Sequence, residues 1–196
     1  FNVDAPSSGK EVLMRIEYSQ RRLFSLYVQY RFEDKFINNN DENEKIDYII
    51  NTNQHRFRFH IANKINKDLE LRNRVEFVSF AKTNLKSKGY LMFQDIIYKP
   101  IGKKYSFTTR YALFDTDDFN SRIYSFENDM LYEFAVPFFY EKGKRFYFLS
   151  KYKINRSLTI EGRYSITSYS NLNVISQGGN DEIIGNNRSA VELQLR

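Results

Sequence analysis

Apolar and polar side chains alternate along most of this chain with a period of two. Val12, Met14, Ile16 and Tyr18 alternate with Leu13, Arg15, Glu17 and Ser19; Phe24, Leu26, Val28, Tyr30 and Phe32 alternate with Ser25, Tyr27, Gln29, Arg31 and Glu33. The rhythm recurs at Phe57, Phe59 and Ile61, from Leu69 to Phe77, from Phe107 to Leu113, from Leu158 to Ile166 and from Val191 to Leu195. Successive side chains of a strand point to opposite faces, so each run predicts a strand with one apolar and one polar face. Eleven strands are expected, over 11–19, 22–33, 55–63, 68–80, 89–98, 105–114, 121–127, 130–139, 145–154, 157–168 and 188–196. The stretch 89–98 is the least regular, because Gln94 and Asp95 put a polar group on each face. No helix is expected, since the 3.6-residue period never persists for three turns.

Many of these runs are about ten residues long, the length of a tilted membrane-spanning strand (~9–11) rather than of an ordinary soluble one (~5–6). Their connections differ by side. Those at 19–22, 63–67, 99–104, 128–129 and 155–156 are short, and of those at 34–54, 81–88, 114–120, 140–144 and 167–187 all but 140–144 are longer. Short turns on one side and longer loops on the other are the habit of membrane barrels. NNNDENE from Asn38 and SQGGND from Ser176 have turn or mobile-loop compositions.

Alternation by itself also suits a soluble sandwich. Two placements favour a barrel. Tyr18, Phe24, Tyr98, Tyr105, Phe126, Tyr132, Phe138 and Phe146 sit at strand ends beside turns, as membrane-interface aromatics do. Arg dominates the strands, whereas Lys lies in or next to loops apart from Lys151 and Lys153. An Arg fork suits a crowded interior where it bonds several carboxylates. The longest apolar stretches, such as Phe134–Tyr140, fall far short of the ~18 residues of a spanning helix.

The polar face is expected to carry a lumen-facing lattice of Arg15, Arg31, Arg56, Arg58, Arg72, Arg74, Arg110, Lys151, Lys153, Arg163 and Arg196 with Glu17, Glu33, Glu70, Glu76, Glu133, Glu161 and Glu192. This reads either as cross-strand ion pairs filling the lumen or as a cationic lining for an anion-preferring water path. Composition narrows the field. Without cysteine there is no disulfide scaffold, iron–sulfur site or thiol chemistry, and 17% aromatic residues are too many for a disordered chain. A net charge of +6 is only a slight bias toward polyanionic partners.

Residues 1–10 read as a loop-like leader and 11–196 as an antiparallel up-and-down transmembrane β-barrel. Bacterial barrels have even strand numbers, so an expectation of eleven leaves one or more strands unaccounted for. The chain opens on Phe1 and its VELQLR end falls inside an alternating run, so a larger barrel is expected, of which this is the terminal part.

Three blocks carry a family resemblance: RIYSFENDMLYEFAVPFFYEKGKRFYFLSKYKI at Arg122–Ile154, LTIEGRYSITSY at Leu158–Tyr169 and EIIGNNRSAVELQLR at Glu182–Arg196. From about Tyr105 onward the chain resembles the C-terminal barrel of a Bacteroidetes outer-membrane family whose longer members often carry an N-terminal helix-hairpin-helix, ComEA-like region. The order of the blocks is moderately specific, and the first half of the chain matches more loosely. The resemblance implies an outer-membrane barrel in a Gram-negative envelope. It implies no activity, and without the helix-hairpin-helix region no DNA-binding role.

Candidate chemistry is sparse. An outer-membrane phospholipase needs Ser, His and an orienting group near the lipid face, yet His60 falls on the polar face and there is no GxSxG elbow. An omptin-like protease needs Asp and His at the external rim, for which Asp115, Asp117, Asp118 and His55 are the candidates. Those three aspartates also suit calcium by their hard oxygens, but Asn120 stands where an EF-hand needs Gly. Gly178 and Gly179 do not form a phosphate loop. Basic and aromatic residues lie on opposite strand faces, against the interleaving that single-stranded nucleic acid requires. The expected function is therefore non-enzymatic: a porin-like pore, or a scaffold within an envelope complex for secretion, assembly or transport. It takes no cofactor, metal or nucleic acid, and its partners are the bilayer, lipopolysaccharide and other envelope proteins. A soluble all-β binding protein with an aromatic core is the alternative, and an outer-membrane hydrolase a more distant one.

Overall fold

A computed structural model describes residues 3, 5–21, 23–38, 48–175 and 182–196. In chain order the strands are β1 (Lys10–Gln20), β2 (Phe24–Asn38), β3 (Ile49–Lys64), β4 (Leu69–Lys82), β5 (Leu85–Tyr98), β6 (Tyr105–Thr116), β7 (Ile123–Tyr124), β8 (Phe138–Phe139), β9 (Lys142–Lys153), β10 (Thr159–Tyr169), β11 (Val174–Ile175), β12 (Ile183–Ile184) and β13 (Asn187–Leu195). A 3-10 turn covers Phe119–Ser121. Nine strands form one antiparallel up-and-down sheet in the order β1-β2-β3-β4-β5-β6-β9-β10-β13. The sheet is open: β1 and β13 are its edges and do not pair with each other. Among the described residues, no helix is long and apolar enough to cross a membrane.

All nine long strands fall on runs that alternation predicts, but several are longer. The expected loop 34–54 shrinks, because β2 continues to Asn38 and β3 begins at Ile49. Polar Asn51, Thr52, Asn53 and Gln54 hide that extension from a hydropathy pattern; Thr52 is buried, and its hydroxyl donates to the Lys35 carbonyl at 3.0 Å. The expected loop 81–88 is strand on both sides of a two-residue turn, Thr83 and Asn84, with Thr83 at φ 50°. Side-chain caps set two of the short turns. Asn66 Oδ1 accepts from the amides of Asp68 and Leu69, and Asn155 Oδ1 accepts from those of Ser157 and Leu158. The runs NNNDENE and SQGGND lie, except for Asn38, outside the described residues.

Two expected strands, 121–127 and 130–139, are not part of the sheet. β6 pairs directly with β9, from Tyr105↔Tyr152 to Asp115↔Lys142, and residues 117–141 between them fold back over the polar face of the sheet. β7 and β8 pair only with each other in this segment. Its first half is extended and alternates, with Ser121, Ile123, Ser125 and Glu127 buried and Tyr124 and Phe126 exposed. Docking occurs where the inner face turns apolar. Val78, Leu91, Phe93, Ala112 and Phe114 form a core with Ile123 and Phe139 of the segment and with Tyr169 and Ile175. Phe114 meets Phe139 edge-on at 5.3 Å, and Gly143 lets the Phe114 ring approach β9, since a Cβ there would lie 2.7 Å from the ring.

The outer face has the opposite character. Ile16, Val28, Phe59, Val75 and Met92 lie on one rung of adjacent strands, and all but the half-buried Val75 are exposed. Phe57 and Phe77, directly opposed on β3 and β4, are 53% and 54% exposed. Polar Gln94 and Asn73 interrupt this face as a directly opposed pair, joined by a 3.1 Å hydrogen bond. One face of the sheet is thus mainly apolar and exposed, and the other carries most of the ion-paired charges.

Candidate functional site on the charged face

The polar residues of the alternating pattern form a ladder of ion pairs along the inner face. On β1 and β2, Arg15 pairs with Glu17 at 2.7 Å, and Arg31 with Glu11 at 2.9 Å and Glu33 at 3.5 Å. Arg58 of β3 grips Glu76 of β4 with two bonds, at 2.7 and 3.0 Å, and Glu76 is fully buried. Arg72 pairs with Glu70 at 2.6 Å, while Arg74 donates to the Tyr27 hydroxyl at 3.1 Å and faces His60 directly across the strand pair. Glu161 of β10 takes both Lys151 and Arg196, at 2.8 and 2.5 Å. Lys153, also expected on this face, is an exposed residue at the end of β9.

Four residues outside the expected lattice organise its buried centre. Asp95 holds Arg110 with two bonds, at 2.5 and 2.8 Å, and the guanidinium lies 3.6 Å from the centre of the Phe93 ring. Arg110 also donates to the Phe126 carbonyl at 2.8 Å, pinning the inward segment. Glu127 of that segment accepts from Arg145 at 2.8 and 2.9 Å and from Arg163 at 2.6 Å. Arg163 further approaches Asp129 and Glu192, each at 3.5 Å. Arg145 was legible from strand parity, since it alternates with Phe146 and Phe148. Glu127 and Asp129 were not, because only the fold-back brings them to the sheet. Burying a charge is tolerable when it is paired and hydrogen-bonded, as here.

One expected lattice member is placed differently. Glu133 lies in the inward segment rather than on a strand of the sheet, an exposed residue that lines a groove with Lys151 and Glu161. The aromatic set divides in the same way. Tyr18 and Phe24 flank the β1–β2 turn with ring centres 6.5 Å apart, and Tyr98 and Tyr105 flank the β5–β6 turn at 6.2 Å. Phe146 sits within β9 rather than at its end. Phe126, Tyr132 and Phe138 belong to the inward segment: Tyr132 is 89% exposed at φ 72°, and Phe138 packs on Phe119, Tyr124 and Tyr140.

The acidic loop serves the fold. Asp115 pairs with Lys142 at 3.2 Å, and Asp117 accepts from the Lys88 amide at 2.8 Å. Asp118 caps the 3-10 turn through the amides of Asn120 and Ser121 and accepts from the Ser87 hydroxyl at 2.6 Å. Burial pushes the Asp118 carboxyl up, but the bonds from Ser87, Asn120 and Ser121 outweigh it and hold the group below its ordinary value. His55, Asp115 and Asp117 line one outer groove of about 450 Å³, which Ser79 also lines, but no hydrogen bond joins His55 to either aspartate among the described residues. Ser79 stands opposite His55 in the register, and His55 Nδ1 bonds the Tyr30 hydroxyl at 2.9 Å. Among the described residues no hydrogen bond joins Ser79 to His55, and no group of three or more His, Cys, Asp or Glu has metal-site geometry.

Comparison with protein-family models, curated proteins and solved structures finds no match.

Proposed function

We propose that this chain forms the wall of an outer-membrane β-barrel in a Gram-negative envelope, and acts as a non-enzymatic scaffold or subunit of an envelope complex rather than as an open pore. The observation that carries this reading is the inversion of the sheet. Its outward face is apolar and exposed across adjacent strands, while its inward face is charged, ion-paired and half covered. In water such a face would be a large uncovered apolar patch; in lipid it is the favourable surface. Strands of 9–16 residues are long enough to span, and the aromatic pairs at the two turns suit a bilayer interface.

The scaffold role is favoured over the pore by residues 117–141, whose Glu127 and Phe126 are bonded to Arg145, Arg163 and Arg110 across the interior. Closure has a topological condition. With nine successive antiparallel strands, β1 and β13 run in the same direction, so antiparallel closure takes an odd number of additional strands between them.

Fractionation tests the membrane reading. The protein should stay in the outer-membrane pellet through alkaline carbonate and dissolve only in detergent; release into the aqueous fraction would overturn it. Planar bilayers separate the two roles: the folded protein should be electrically silent, and steady single-channel steps would establish the pore instead.

A further inference from the structure

One part of the charged face departs from the ion-paired rule. Arg58, Arg110, Arg145 and Arg163 each meet at least one carboxylate at 2.5–2.8 Å. Arg56 and Arg122 form no ion pair among the described residues. Arg56 Nε donates to the neutral Gln54 side chain at 2.9 Å, and Arg122 donates to the Tyr124 hydroxyl at 3.0 Å and the Phe119 carbonyl at 2.7 Å. Both line a cavity of about 240 Å³ between the inner face of β2–β3 and the start of the inward segment, with Glu33, Lys35, Gln54 and Asn120 around it. Its charged lining is Lys35, Arg56 and Arg122 against Glu33, and Glu33 is taken by Lys35 at 2.8 Å and Arg31 at 3.5 Å.

The register adds to the imbalance. Arg56 stands directly opposite Arg31, a like-charged cross-strand pair that is unfavourable by itself. Arg31 is ion-paired to Glu11 and Glu33, whereas Arg56 has no carboxylate in ion-pair contact among the described residues and feels Glu76 and Glu33 only at longer range. Both guanidinium groups are half-buried without an ion pair among the described residues, where a charge is costlier than on an open surface.

We propose that this cavity binds a small phosphate ester, with Arg56 and Arg122 as its two guanidinium ligands and Lys35 as a supporting cation. Three cations against one carboxylate leave the lining at +2, which matches a phosphate monoester at about −1.5 to −2 at neutral pH. Guanidinium forks suit phosphate oxygens geometrically, and the Gln54 and Asn120 amides add neutral polar groups at the wall. The cavity opens on the charged face, so the phosphate belongs to a solute rather than to a lipid headgroup of the bilayer.

The test is calorimetric titration of the protein, folded in a phosphate-free non-ionic detergent at low ionic strength, with inorganic phosphate and with glycerol 3-phosphate. Saturable binding is expected, weakened about 10–100-fold in Arg56→Gln and in Arg122→Gln, as the loss of one charge-assisted hydrogen-bonding group predicts. Arg56→Lys, which keeps the charge and loses the fork, should fall between. Arg15→Gln, on the edge strand and paired with Glu17, should bind as the unaltered protein does. Non-saturable heats, or equal affinity in Arg56→Gln and the unaltered protein with both folded by circular dichroism, would overturn the site. So would binding of short-chain phosphatidylglycerol without binding of either phosphate probe. The outcome is independent of the membrane reading, since an aqueous protein that bound phosphate would remove that reading and keep this one.

Discussion

Glu127 is the joint between the inward segment and the sheet, and its removal offers a quantitative test of the buried lattice. The carboxylate is fully buried and accepts three bonds from two guanidinium groups, those of Arg145 and Arg163, whose side chains are 15% and 5% exposed. Glu127→Gln keeps the size but strands two buried cations. Breaking a buried pair costs roughly 3–5 kcal/mol. The lower end applies here, because Arg163 keeps Asp129 and Glu192, each at 3.5 Å. A loss of about 3 kcal/mol raises the population of the detached segment roughly 100-fold. Where opening is fast relative to cleavage, limited proteolysis reads that population directly. Cleavage within residues 117–141 should therefore accelerate about 100-fold in Glu127→Gln, and hardly at all in the exposed control Glu133→Gln. A double cycle with Arg145→Met should show strong coupling. If Glu127→Gln were cleaved within about threefold of the unaltered protein, the ordinary scatter of surface substitutions, the segment would not be held by this carboxylate.

Other expectations concern the outer wall, the cap and a close contact. Phe59→Arg on the exposed apolar face should be nearly neutral in water but should cost about 2–4 kcal/mol in a bilayer near its midplane, read as a lower urea midpoint in lipid vesicles. Asp118→Ala should cost about 1 kcal/mol through loss of the cap, seen as faster amide exchange at Asn120 and Ser121. Because the folded carboxyl lies below its ordinary 3.8, its contribution is fully present above that value and is lost as pH falls through the folded pKa. Amide exchange at Ser121 should show that acid limb in the unaltered protein, and Asp118→Asn should abolish it. Gly143→Ala places a Cβ 2.5 Å from the Ser168 carbonyl and 2.7 Å from the Phe114 ring, so it should destabilise by roughly 1–3 kcal/mol. An unchanged melting temperature would show that β9 yields freely at that point.

Much of the sheet was legible because strand identity is local. A side-chain period of two fixes which residues share a face, whatever the neighbouring strand turns out to be. Arg31, Arg58, Arg72 and Arg163 thus appear on the face that parity predicts, paired with carboxylates of that face. Asp95 illustrates the limit. In the sequence it only blurs the strand 89–98, whereas in the fold it is the buried partner of Arg110. Leu91 and Phe93 signalled that β5 is apolar on both faces, as Met92 and Tyr90 flank them on the other side. That is the mark of a strand buried on its inner side by something the pattern does not name.

The alternation by itself pointed to eleven strands, nine of which are the long strands of the sheet, and to an apolar face and a charged one, because those depend only on the two-residue geometry of extended backbone. It could not distinguish strands of the sheet from residues 121–127, which are equally extended and equally alternating. Only the tertiary structure decided that this stretch lies over the charged face of the sheet: β6 and β9 satisfy each other's backbone hydrogen bonds, leaving no edge between them for a strand to join. The same non-local pairing decided which carboxylate meets which guanidinium, why Arg56 and Arg122 meet none among the described residues, and that the apolar face is the one left outside.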